Sequence, residues 1–143
     1  MQVEINNRQK AVECPARDVR QVLRLALTME GRDAELSVAL VGDGEIAALN
    51  ERFLGRREVT DVLAFPYSGE GEALCGEIVV NAELAAREAA GRAHSAQDEL
   101  MLYLVHGLLH LLGYDDHTAA DARRMHRREG EVLAAAGRAV EFD

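Results

Sequence analysis

The chain has 143 residues, 48% of them hydrophobic and 29% charged, which fits one globular unit and excludes a disordered or fibrous protein. Its formal net charge of −9 excludes loose, sequence-blind binding of nucleic acid over the whole surface, because phosphates would be repelled. The opening residues lack the basic region and apolar run of a secretory leader, and no stretch reaches the ~20 apolar residues of a membrane span, so a cytoplasmic protein with no membrane partner is expected.

Residues 3–6 read as a short first strand. Pro15 can open a helix in which Val19, Val22, Leu23, Ala26 and Leu27 keep helical spacing until Gly31 ends it. Residues 35–41 alternate and then turn continuously apolar, as a buried strand does. Asp43 is placed to cap a helix over 45–52, with Ile46, Leu49 and Phe53 on one face. The stretch Gly42-Asp43-Gly44-Glu45-Ile46-Ala47 has the look of a dinucleotide fingerprint, but Asp43 puts a negative charge where a pyrophosphate must sit. Asp61, about twenty positions on, also precedes its strand instead of ending it, so the fingerprint is rejected. Residues 62–65 form a third strand stopped by Pro66, 67–73 a loop with two Gly and two Glu, and 76–80 a fourth strand. Asn81 caps a helix reaching about residue 90. Ser95-Ala96-Gln97-Asp98 is a capping box that launches a helix through the apolar run ending at Leu112. Thr118-Ala119-Ala120-Asp121 opens a last helix, with Met125, Val132, Leu133 and Ala136 facing inward and Gly137 ending it. The order is β-α-β-α-β-β-α-α-α in a single domain, 1–143. Cys14 and Cys75 form no CxxC pair and read as small buried apolar residues.

Three of the five histidines fall within residues 106–117, inside and just after the most apolar run. His106 and His110 are four apart and share a helix face. Gly113 suits a left-handed helix end, after which Tyr114-Asp115-Asp116 could swing His117 back toward the same point. Three imidazoles with a fourth position open is the arrangement of a catalytic zinc. Burying two imidazoles in an apolar run costs free energy unless each finds a partner, and one ion satisfies both. Such an ion polarises phosphoryl or carbonyl oxygens and activates water, so hydrolysis is the expected reaction class. Gly107 stands where the peptidase helix H-E-x-x-H carries its glutamate base, which argues against a standard peptidase. Phosphodiester cleavage leans more on charge stabilisation and positioning. Asp115 or Asp116 could serve as the base, and Asp61 and Glu77 could accept a ligand's other ring N–H. Fifteen of the sixteen basic residues are arginine, with one group at Arg123, Arg124, Arg127 and Arg128 and another at Arg52, Arg56 and Arg57. Arginine suits phosphate, but the first group reads as a solvated face paired with Glu129 and Glu131.

The run from His106 to Asp115 resembles the signature of the YbeY family, bacterial metal-dependent endoribonucleases of rRNA maturation. Glu45-Ile46, Leu49-Asn50, Thr60-Asp61-Val62-Leu63-Ala64-Phe65-Pro66, Gly76-Glu77-Ile78-Val79 and His94-Ser95 fall where that family has similar blocks. The resemblance implies a zincin-like α+β fold, a small mixed four-stranded sheet packed with about five helices around a buried central one. It also implies one Zn2+ on three histidines, single-strand-directed cleavage in 16S rRNA 3′-end maturation, ribosome quality control, and rRNA and the small ribosomal subunit as partners, with no DNA expected. His106 and His110 match the first two ligands. The family usually reads Gly-Tyr-Asp-His, whereas Gly113-Tyr114-Asp115-Asp116-His117 is one residue longer. His117 is the third ligand if the loop absorbs the extra residue, Asp116 if the backbone keeps the usual path; imidazole suits zinc better, which favours His117. The family's arginine before the Thr-Asp block aligns with Leu54, leaving Arg56 and Arg57 to take its place in substrate binding. Ala64 and Glu77 stand for a more usual serine and aspartate. A metallohydrolase of another class, or a non-catalytic ribosome-associated module with a structural metal, is the competing expectation.

Overall fold

The computed structural model describes residues 1–68 and 73–142, so the centre of the Gly/Glu loop, at 69–72, lies outside the described residues. The elements are β1 (Gln2–Asn7), α1 (Ala16–Glu30), β2 (Ala34–Val41), α2 (Asp43–Leu54), β3 (Val62–Pro66), β4 (Leu74–Asn81), α3 (Ala82–Ala89), α4 (Ala96–Leu111) and α5 (Ala119–Ala135). The fold is α+β, with strands in the order β1-β2-β4-β3. β1 pairs β2 and β2 pairs β4 in parallel, while β3 pairs β4 antiparallel.

Side chains alternate across a strand, and both faces of β2 and β4 are apolar, so helices must cover both. Leu36, Val38, Leu40, Ile78 and Val80 join the main core with α1, α4 and α5. Ala39, Val41 and Val79 meet Ile46 of α2 and Leu63 on the other face. Pro66 is the last residue of β3, one beyond the expected end, and sits opposite Gly76. As β3 is an edge strand, a missing donor there is tolerated.

Two local expectations change. Asp43 does not cap α2: Gly42 is the cap, and the Asp43 N–H donates to Glu83 Oε1 of α3 at 2.7 Å. A Cβ on Gly42 would lie 2.1 Å from that oxygen, so glycine is needed for the approach. The Asp43 carboxylate instead takes hydrogen bonds from Asn81 at 2.8 Å and Arg87 at 2.6 Å. A protein carboxylate thus fills the helix N-terminus that a pyrophosphate would need. Cys14 is buried and its thiol is pushed up to about 11 by that burial, whereas Cys75 is only half-buried.

α4 runs through the middle of the molecule, against α3, β3, β4, α1 and α5. Ser95 accepts from the Asp98 N–H at 3.0 Å, as the capping box predicts, while the Asp98 carboxylate goes to Arg138 at 2.8 Å. Gly107 is where the helix presses on the sheet. A Cβ there would come within 2.8 Å of Ile78 Cγ2 and 2.9 Å of Val62 Cγ2. Both neighbours are β-branched and stiff, so they cannot yield cheaply.

Candidate metal centre

One turn apart on α4, the His106 and His110 rings meet edge to face, with centroids 4.5 Å apart. Each ring commits its Nδ1. His106 Nδ1 donates to Glu129 Oε2 at 2.6 Å, and His110 Nδ1 donates to the Tyr114 carbonyl at 3.1 Å. With both Nδ1 protons so placed, both Nε2 atoms present lone pairs, and these face each other across 3.0 Å. Two acceptors pointed at one another need a proton or a cation between them.

The turn after α4 brings the third donor. Gly113 takes φ 104, in the left-handed region, and the Tyr114 N–H returns to the Leu109 carbonyl at 3.0 Å. Tyr114 is pinned at its other end too. Its hydroxyl donates to Glu30 at 2.9 Å, and the Arg124 guanidinium lies 4.8 Å above its ring. Asp115 Oδ1 then accepts the His117 N–H at 3.3 Å, an Asx turn. That backbone hydrogen bond, and after it a side-chain hydrogen bond with Asp121, holds the Asp115 carboxyl below the usual carboxylate range. Asp116 Oδ2 comes to 3.8 Å from His106 Nε2 and 4.0 Å from His110 Nε2.

Among the described residues, ligand atoms of His106, His110 and Asp116 lie within 4.8 Å of one another. His117, favoured from the sequence as third donor, is exposed and outside this group. The reason is local: Tyr114 is tied to Leu109 and Glu30, and in the turn that follows, Asp116 Oδ2 comes toward the two rings while the His117 N–H is taken by Asp115. A tetrahedral ion with bonds of about 2.1 Å has ligand–ligand edges of about 3.4 Å. The separations of 3.0, 3.8 and 4.0 Å straddle that value, so the donor set is compatible with a metal ion.

Electrostatics agree. Burial works against charge on His106, yet Glu129, and beyond it Asp61 and Asp116, outweigh burial and raise its pKa above the ordinary imidazole value. Glu129 is 1% exposed and also receives His126 Nδ1 at 2.8 Å. Its ion-pair partners among the described residues are these two imidazoles, without a lysine or arginine.

Glu129 was not among the residues expected to hold a ligand histidine. Glu77 was, but Gly76 and Ile78 make the contacts with α4, so Glu77 points to the other face of β4, where the Tyr67 hydroxyl donates to it at 2.9 Å. Asp61 accepts the Val62 N–H at 2.8 Å and so caps the strand, while also lining the cleft beside His106. The signal for Glu129 was present: it falls four residues after Met125 and three and four before Val132 and Leu133, on the apolar side of α5.

A cleft of about 560 Å³ opens beside His106, its walls including Thr60, Asp61, Arg92, Tyr103, His126 and Glu129. Arg56 and Arg57 do not line it; they pair with Glu58 at 2.7 Å and Glu51 at 3.8 Å on the loop between α2 and β3. The residue after the first histidine, Gly107, faces the sheet and not the cleft, so a glutamate of the H-E-x-x-H kind has no room there.

The family model described as Endoribonuclease YbeY matches residues 4–137. The Endoribonuclease YbeY of Anaeromyxobacter sp. (strain Fw109-5) is 44% identical over 96% of this chain and 73% of its own length. Those of Salinispora tropica and Syntrophotalea carbinolica are 41% and 39% identical, each with over nine-tenths of both chains covered. The solution structure of TM1509 from Thermotoga maritima superposes with a TM-score of 0.64 at 27% identity, covering 93% of this chain and 90% of that one. The chain belongs to the endoribonuclease YbeY family.

Proposed function

We propose that this chain is a zinc-dependent, single-strand-specific endoribonuclease of the cytoplasm, acting in 16S rRNA 3′-end maturation and ribosome quality control, with rRNA on the small ribosomal subunit as substrate. The observation that carries the reading is the convergence of two lone-pair nitrogens and one carboxylate oxygen on a single wet point. His106, His110 and Asp116 would hold the ion. When bound, zinc supplies a Lewis acid for the phosphoryl oxygen and leaves a coordination position for water or substrate.

The chain's own residues do the positioning. Glu129 fixes the tautomer and orientation of His106, and the Tyr114 carbonyl does the same for His110. Asp115 holds the turn that aims Asp116. RNA carries a 2′-hydroxyl beside each phosphodiester, so no protein nucleophile is required. Arg56 and Arg57 lie on the loop that leads into Thr60 and Asp61, outside the cleft lining, and are assigned to substrate contacts along that loop. The blocked position at Gly107 weighs against a peptidase.

Elemental analysis for metal, run beside cleavage of a single-stranded oligoribonucleotide, tests the reading. Wild type should carry about one zinc per chain and cleave, and His110→Ala should lose both. Cleavage by a metal-free His110→Ala protein would overturn it. Asp116→Ala should shed metal while His117→Ala retains it; the reverse would return the third place to His117.

A further inference from the structure

The four arginines of α5 are not the ion-paired surface that the sequence pattern suggests. Glu129, their expected partner, is turned inward and engaged by His106 and His126. Glu131 reaches Arg128 alone, at 3.5 Å, and Arg128 also holds Glu30 at 2.8 Å. Arg123, Arg124 and Arg127 are exposed, and none of them has a carboxylate within ion-pair distance among the described residues. In a chain of net charge −9, three uncompensated guanidiniums within five residues of one helix are a concentrated exception.

Their place in the fold ties them to the metal centre. Arg124 lies 4.8 Å over the ring of Tyr114, whose carbonyl orients His110. Arg123 precedes His126 by one turn on the same side of α5, and His126 lines the cleft beside His106. Arg127 follows Arg123 at i+4. The row therefore starts at the turn that carries Asp116 and runs along the outer side of α5 past the cleft mouth.

We propose that this face of α5 is the track for the sugar-phosphate backbone of the RNA strand, with Arg123, Arg124 and Arg127 each meeting a phosphate. The proposal rests on the endoribonuclease reading above. Charge complementarity selects the occupant: guanidinium forks match phosphate oxygens, and a row leading to a nuclease centre holds the strand in register with it. The overall negative charge elsewhere repels RNA, so the row also sets which way the strand lies.

The test is equilibrium binding of a fluorescein-labelled, single-stranded 12-mer of RNA to the full chain, at salt from 50 to 200 mM. The parent is compared with Arg123→Gln/Arg124→Gln/Arg127→Gln and with a control, Arg17→Gln/Arg20→Gln/Arg24→Gln on α1, that removes the same charge elsewhere. Each lost phosphate contact should lower the log–log salt slope by about 0.7, so the α5 variant should lose about 2 from the slope while the control stays near the parent. Over that fourfold salt range the parent's affinity should then fall about twentyfold further than the variant's. Retained zinc in the α5 variant shows that its site is intact. Equal slopes for parent and α5 variant, or an equal loss in the control, would overturn the track. Displacement of the RNA by polyglutamate of matched charge, at matched concentration, would overturn it in favour of an acidic protein partner. A parent that neither binds nor cleaves the 12-mer would take the endoribonuclease reading down and the track with it.

Discussion

Glu99 of α4 and Glu129 of α5 are both 1% exposed, and both line the cleft beside His106, yet their charges are balanced by different means. Glu99 receives Arg92 Nη1 at 2.7 Å and His94 Nε2 at 2.6 Å. His94 Nδ1 accepts the Glu141 N–H at 2.9 Å, so its proton sits on Nε2, where Glu99 needs it. A permanent guanidinium neutralises this carboxylate, and the network ties the α3–α4 connection and the C-terminal segment to the central helix. Glu129 has two imidazoles and no permanent cation among the described residues. A buried carboxylate is tolerable only when paired. At Glu99 the pairing is complete within the fold, whereas at Glu129 it draws positive charge to the imidazoles or to an ion they bind. One glutamate serves the scaffold and the other the site.

The largest effect expected from this contrast is on stability. Glu99→Ala takes one carboxylate from the half-buried Arg92, which keeps Glu88 at 3.6 Å, and leaves the buried His94 Nε2–H without its acceptor, so it should cost about 1–3 kcal/mol in denaturant unfolding. The fraction that folds should still bind zinc with parental affinity. A cost below about 1 kcal/mol would mean that Arg92 reaches solvent or another acceptor without loss, and the scaffold role would fall.

Next comes metal affinity. Glu129→Gln keeps the volume but withdraws the charge that draws His106 into place, and zinc affinity measured against a chromogenic chelator should drop by about 10- to 100-fold. Glu99→Gln in the same assay should change it little. Equal losses in the two variants would erase the distinction.

The sequence made half of this centre legible. His106 and His110 are set by helix periodicity alone, and the capping residues Ser95 and Thr118 fix where α4 and α5 start, each accepting the expected N–H at 3.0 Å. Strand order is partly visible in the apolar second halves of β2 (residues 38–41) and β4 (residues 78–80), which suit central strands. The third candidate donor was legible only as a choice between His117 and Asp116, because the chain path after Gly113 involves the Tyr114–Glu30 hydrogen bond, eighty-four residues apart in sequence, and no local pattern reports that bond. Glu129 was obscured by its arginine neighbours: charge pairing on an exposed face and burial on an inner face compete for the same residue. Its spacing from Met125, Val132 and Leu133 decides for burial. Glu77 misled through the opposite error, since a strand end looks adjacent to the site until the parity of β4 against α4 is known.

The smallest effect separates the two partners of Glu129. His126 is half-exposed at the cleft wall and meets Oε1, while His106 meets Oε2. Removing the His126 ring in His126→Ala leaves one carboxylate oxygen facing the cleft, where water can take the vacated hydrogen bond at small cost. The oxygen that orients His106 keeps its geometry. Zinc affinity should therefore fall by less than the roughly tenfold that marks loss of a ligand's supporting acceptor. A loss as large as that of Glu129→Gln would show that Glu129 is itself held in place by His126, making the pair a single positioning unit. Glu129 would then need its outer imidazole to be useful, and the contrast with Glu99 would lie in how each carboxylate is aimed instead of how its charge is met.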